Sequence, residues 1–177
     1  MADMIQVTAG AGETIAILRM GTFETPCALG RAGILVAKRE GDVGTPDGIF
    51  PLRELRYRAD RIKTPPATSL PIHAMEPGDG WCDDPKNTDY NRLVRLPSPA
   101  RAENMWREDH LYDLVAVIGC NDDPVVPGAG SAIFLHVANE IEGQLMPTEG
   151  CVALREGDLL RILQGCSIAT QICIRLI

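Results

Sequence analysis

Short apolar runs, repeatedly broken by glycine and proline, limit what this chain can fold into. Residues 14–18 and 34–37 are β-compatible runs, and Gly30, Gly33, Gly41 and Gly44 punctuate the stretch around them. Thr45-Pro46-Asp47-Gly48 predicts a turn, because proline presets φ and glycine accepts a positive one. Residues 64–99 carry Pro65, Pro66, Pro71, Pro77, Pro85, Pro97 and Pro99, with Trp81 and Tyr90 among them. A flexible linker would be rich in Gly and Ser, so this segment predicts long ordered loops, of the kind that often carry function. Residues 100–110 predict a short helix, and 111–119 and 131–138 predict central strands. Residues 155–164 space Leu159, Leu160, Ile162 and Leu163 as a helix does, with Gly165 as its C-cap. The end, 168–177, predicts a strand with Ile172, Ile174 and Leu176 on one face. The pattern predicts a mainly β protein, a sandwich or barrel of mixed sheets with two or three short helices. At 177 residues the chain fits a single domain over 1–177.

Composition removes several function classes. A hydrophobic fraction of 45% suits a chain that buries a core. Lys+Arg 17 against Asp+Glu 24 gives −7, which argues against a nucleic-acid or anionic-membrane partner. No run approaches the ~20 apolar residues of a membrane span. Residues 1–12 show neither a basic n-region nor a long apolar h-region, so no signal peptide is visible. That leaves a cytoplasmic protein, or one whose signal lies outside this sequence. The six cysteines form no CxxC pair and the three histidines lie far apart, so no metal site is expected and most cysteines are expected to be small buried residues.

One constellation can carry chemistry. His136 sits late on the strand predicted over 131–138; fifteen residues later Cys151 follows Gly150 at the end of a turn. A thiol needs a base or a positive neighbour to become a thiolate near neutral pH, and a histidine on an adjacent strand can serve. Gly150 would let backbone N–H groups approach a developing oxyanion, with the amides of Gly150 and Cys151 as candidates. By themselves these residues leave a second reading open, in which Cys151 is core packing and His136 a satisfied core residue.

The segments Phe134-Leu135-His136-Val137 and Thr148-Glu149-Gly150-Cys151 resemble the signature of L,D-transpeptidase (YkuD-type) catalytic domains, a strand histidine, a spacer and Ser/Thr-His-Gly-Cys. Gly44-Thr45-Pro46-Asp47-Gly48-Ile49-Phe50 resembles the family's Thr-Pro-x-Gly-x-Phe element. Gly80-Trp81-Cys82-Asp83-Asp84-Pro85, Asp89-Tyr90-Asn91-Arg92, Tyr112-Asp113-Leu114-Val115 and Gly130-Ser131-Ala132-Ile133-Phe134 are similar to a proteobacterial branch. The resemblance implies an L,D-transpeptidase-like fold and a cysteine nucleophile, Cys151, with His136 as base. It also implies a backbone carbonyl, that of Val137, as the group orienting the imidazole. The chain departs from the signature at Glu149, where a histidine is usual, and at Ala153, where an arginine often follows.

What the resemblance implies for function is acyl transfer between peptidoglycan stem peptides at diaminopimelate through a thioester, with no cofactor. The altered motif raises the crosslink between L-Ala at position 1 and diaminopimelate at position 3. The alternatives are an L,D-carboxypeptidase or amidase that trims muropeptides, and a non-catalytic peptidoglycan-binding module. The location implied is the periplasm or cell envelope, with the cytoplasm as the alternative. Trp81, Asp83, Asp84, Tyr90, Asn91, Arg107, Tyr112, Asn121, Ser131, Thr148 and Glu149 are candidate substrate contacts. Of these, Glu149 is expected either to repel acidic donor groups or to hold an amine such as that of diaminopimelate, and the segment 64–99 is expected to fold against the groove as a lid.

Overall fold

The computed structural model describes residues 4–177. In chain order its elements are β1 (Met4–Ala9), β2 (Ile15–Met20), β3 (Phe23–Ala28), β4 (Ile34–Leu35), β5 (Thr45–Pro46), β6 (Gly48–Tyr57), β7 (Ile72–Ala74), β8 (Asp79–Cys82), β9 (Leu93–Arg95), β10 (Ala102–Asn104), β11 (Leu114–Ile118), β12 (Phe134–Val137), β13 (Glu140–Ile141), β14 (Gln144–Leu145), β15 (Val152–Leu154), α1 (Glu156–Gln164) and β16 (Gln171–Leu176). Eight strands close into a barrel in the order β11-β12-β15-β3-β2-β1-β16-β6, and β6 pairs back onto β11. Two neighbour pairs, β1 with β16 and β12 with β15, run parallel and the other barrel pairs antiparallel. β6 is long enough to change partner. Its first half pairs with β16 and its last residues with β7.

Period-two alternation fills the barrel. On β11, Leu114, Ala116 and Ile118 point into the main apolar cluster with Leu135 and Val137 of β12 and Val152 and Leu154 of β15. Leu159, Ile162 and Leu163 of α1 join the same cluster, so the predicted helix exists and its apolar stripe is buried. Gly165 is its C-cap but stays right-handed at φ −91°, with its N–H on the Ile162 carbonyl. On β16, Ile172 and Ile174 are buried while Leu176 is exposed, so the predicted face is two residues long rather than three.

The opposite face of β11 and β12 is also covered. Val115, Val117 and Phe134 pack there with Met75, Trp81, Met105, Tyr112 and Cys151 as a second apolar cluster. His136, two residues beyond Phe134, shares that face. The cover comes from the proline-rich region, whose later part forms a three-stranded antiparallel sheet, β10-β8-β9. Where the sequence predicts only loops over 64–99, the chain thus holds β7, β8 and β9.

The helix expected over 100–110 is absent, and α1 is the one helix among the described residues. Ala102, Glu103 and Asn104 instead pair with Cys82, Trp81 and Gly80. The Asn104 side chain accepts from the Trp106 N–H at 3.0 Å, and Asp109 accepts from the Leu111 N–H at 3.1 Å. Asn and Asp satisfy the backbone locally in turns, and here that competes successfully with a weak helical pattern. The run at 34–37 is shorter than expected, since only Ile34–Leu35 pairs, with Thr45–Pro46. No helix among the described residues is long and apolar enough to cross a membrane.

Candidate active site

A groove of about 650 Å³ opens on the covered face of β11 and β12. His136 and Cys151 both line it. β12 and β15 run parallel with Leu135 opposite Val152 and His136 opposite Ala153, so Cys151, just before β15, lies on the strand beside the histidine.

The turn carrying the cysteine is fixed by its own residues. Thr148 Oγ1 donates to the Cys151 carbonyl at 2.7 Å and accepts from the Gly150 N–H at 3.1 Å. The Gly150 amide is therefore already engaged, which removes it from the expected oxyanion donors. Gly150 itself has φ +141°, and a Cβ there would lie 2.8 Å from the Gly44 carbonyl oxygen, so only glycine fits. The segment 29–31 runs beside this turn. Thr148 N–H donates to Leu29 O at 2.8 Å, and Arg31 N–H to Thr148 O at 3.0 Å. A Cβ on Gly30 would lie 2.9 Å from Gly150 Cα, so close approach requires glycine here too.

The thiol and the imidazole are each held by main chain. Cys151 Sγ accepts from the Phe134 N–H at 3.3 Å and donates to the Ala132 carbonyl at 3.2 Å. His136 Nδ1 is 2.8 Å from the Val137 carbonyl oxygen. A carbonyl can only accept, so Nδ1 carries the proton and Nε2 is left as the basic nitrogen. Burial pulls His136 down to about 4, opposed by the Val137 carbonyl. Burial pushes the Cys151 thiol up to about 12, helped by the Glu103 carboxylate and opposed by the Phe134 N–H. Both shifts favour the neutral thiol and the neutral imidazole at rest. The Tyr112 ring stands edge-on to His136, with centroids 5.2 Å apart.

The family model of the L,D-transpeptidase catalytic domain (YkuD) matches residues 8–174. The chain belongs to this family. Among solved structures, an L,D-transpeptidase from Mycobacterium smegmatis shares 11% identity at TM-score 0.45, over 97% of this chain and 58% of that one. L,D-transpeptidase 1 of Mycobacterium tuberculosis shares 11% at TM-score 0.39, over 97% and 62%. The helical cell shape determining protein Pgp2 of Campylobacter jejuni, as a K307A mutant, shares 16% at TM-score 0.42, over 99% and 48%. The chain therefore spans less than two thirds of each of these chains. No curated protein matches it by sequence.

Of the candidate substrate contacts, this L,D-transpeptidase domain brings Asp83, Arg107, Tyr112, Ser131, Thr148 and Glu149 to the groove. Trp81, Asp84, Tyr90, Asn91 and Asn121 do not line it. Trp81 is buried edge-on against Phe134 at 5.1 Å and donates to Asn91 Oδ1 at 3.0 Å. Asn91 Oδ1 also accepts from the Ala132 N–H, and its Nδ2 donates to the Cys120 and Asn121 carbonyls. Trp81 and Asn91 thereby hold the segment just before β12 from behind. Tyr90 donates to Glu40 at 2.5 Å, Asn121 closes the 121–130 loop onto Val126 and Gly130, and Asp84 accepts from the Lys86 N–H.

Glu149 is corrected in a different way. It reaches the groove, but Arg31, 118 residues away, grips both its oxygens, one at 2.8 Å. The carboxylate expected to hold a substrate amine is already paired. Sequence reasoning missed Lys38, Glu40, Arg101 and Glu103, which line the groove from two distant segments. Their only signal is their placement in charged, turn-rich stretches, which many surface residues share. No group of three metal-binding side chains occurs among the described residues.

Proposed function

We propose that this domain is a cysteine-nucleophile peptidoglycan L,D-transpeptidase that crosslinks stem peptides at diaminopimelate. The observation carrying the proposal is that a buried thiol and an imidazole whose tautomer is set by the Val137 carbonyl line one groove. Cys151 attacks the donor's peptide carbonyl as His136 Nε2 takes the thiol proton. His136 then protonates the leaving amine, and a thioester remains. With both groups neutral at rest, the charge appears only as the reaction proceeds. The Cys151 N–H is the donor assigned to the oxyanion. An amine of a second stem resolves the thioester, and the setting is the cell envelope, where that polymer lies.

The test is mass analysis of purified disaccharide-peptides and sacculi incubated with the wild type and with Cys151→Ala. Stem dimers from the wild type alone support transfer, and their fragment masses assign the 1,3 or 3,3 linkage. Trimmed monomers without dimers would make it a carboxypeptidase. Products from the alanine variant would contradict the nucleophile.

A further inference from the structure

The charges lining the groove are not matched evenly. Each cation has an acidic partner: Lys38 pairs with Asp42, Arg101 with Asp83, and Arg107 with Asp109. Glu149 has Arg31. The two remaining carboxylates are held by neutral hydroxyls. Glu40 accepts from Tyr90 at 2.5 Å and from Ser131 at 2.7 Å. Glu103 accepts from Tyr112 at 2.5 Å. The groove thus presents negative charge that no contacting cation neutralises, as a site for a ligand cation does.

Glu103 is the one of these two that sits with the chemistry. Its partner Tyr112 is also the ring that stands against His136. Among charged neighbours, Glu103 does most to push the Cys151 thiol up. Burial raises the Glu103 carboxyl above its ordinary range, opposed by the Tyr112 hydroxyl and by Arg107, with Asp83 and Glu149 adding to the rise. That makes it a stronger base than an exposed carboxylate.

We propose that Glu103 binds the ammonium group of the acyl acceptor beside Cys151 and removes its first proton. This rests on the acyl-transfer reading above. An amine is protonated near neutral pH and cannot attack until it loses a proton. Glu103 takes one proton from R–NH3⁺ to give R–NH2 and a neutral carboxylic acid. The amine nitrogen attacks the thioester carbonyl, a C–N bond forms and the C–S bond breaks. The second nitrogen proton passes to His136 and on to the departing sulfur, which leaves as the Cys151 thiol. Glu103 then releases its proton to solvent.

The experiment uses the full chain, acylated at Cys151 by a disaccharide-tetrapeptide and followed by intact mass. The acyl-enzyme is resolved by Nα-acetyl-lysinamide, whose one amine is protonated at neutral pH, or by hydroxylamine, largely unprotonated. Glu103→Gln keeps an acceptor for the Tyr112 hydroxyl and removes the charge. It is expected to slow resolution by Nα-acetyl-lysinamide by about tenfold or more and to leave resolution by hydroxylamine near wild type. Equal losses with both nucleophiles, or a loss confined to acylation, would overturn the assignment. Failure of the wild type to form any acyl-enzyme at Cys151 would overturn the acyl-transfer reading, and this inference with it.

Discussion

The two faces of β11 and β12 obey different rules. Inward, Leu114, Ala116, Ile118, Leu135 and Val137 pack in the main apolar cluster of the barrel. Outward, Val115, Val117 and Phe134 share a wall with Cys151 and Tyr112, and His136 shares their face. The inner face is held by packing, which is non-directional and tolerates like-for-like exchange. The outer face is held by directed contacts, such as Cys151 to Ala132 and His136 to Val137. One strand therefore supplies stability on one side and chemistry on the other, and substitutions one residue apart should separate the two.

The largest effect is expected at His136. His136→Ala should lower acyl transfer about 10²- to 10⁴-fold, measured as dimer formation under saturating donor, while the far-UV spectrum stays native. Its inward neighbour behaves oppositely. Leu135→Ala should cost about 2–5 kcal/mol in urea unfolding with transfer per folded molecule near wild type. If both variants lose stability and activity in the same proportion, the two faces are not functionally distinct.

Acid should act on the outer face selectively. His136 is held near 4 in the native state against 6.5 when unfolded, so the unfolded state binds the extra proton between those values. Stability from this group is present above pH 6.5 and falls as pH drops toward 4, by on the order of 3 kcal/mol in all. Glu103, whose carboxyl is raised, works in the opposite sense above its ordinary range. The quantity to measure is therefore the difference in urea midpoint between wild type and His136→Leu at pH 7 and at pH 4.5. The leucine variant should lack most of the acid loss.

Cysteines give a finer comparison. Burial pushes both Cys27, in the barrel, and Cys151, in the wall, up to about 12. Only Cys151 lines the groove. Iodoacetamide should modify Cys151 at a rate that climbs with pH without levelling off below about pH 11, and should spare Cys27 until the protein unfolds. A plateau near neutral pH would mean a preformed thiolate after all. The smallest effect is expected for the exposed Arg31–Glu149 pair. Glu149→Gln should change stability by no more than about 1 kcal/mol and should leave the KM for amine acceptors near wild type, since the carboxylate is already occupied.

The sequence exposed these two faces unequally. The barrel strands show as apolar runs because period two and burial leave a local imprint, and α1 shows for the same reason with its own spacing. β12 is buried on both faces, so alternation could not say which way His136 points. The motif His136…Gly150-Cys151 was legible because the reactive residues lie within one short segment. The remainder of the groove was not. Glu103 lies on a strand misread as helix, Lys38 and Glu40 arrive from a loop, and Glu149 is claimed by Arg31 from across the sequence. Pairings that long-range leave no local pattern to read. Trp81 and Tyr90 were legible as important aromatics, but only the folded chain shows them bracing the wall from behind.

The account turns on Cys151 accepting the acyl group, and intact mass spectrometry reads this directly. Wild-type protein mixed with a disaccharide-tetrapeptide and quenched in acid within the first turnover should gain one acyl mass. Proteolysis should locate it on the peptide containing Cys151, and hydroxylamine should remove it as it removes thioesters. Turnover with no adduct in Cys151 peptides, or with the adduct on Cys27, Cys120 or another residue, would contradict the account.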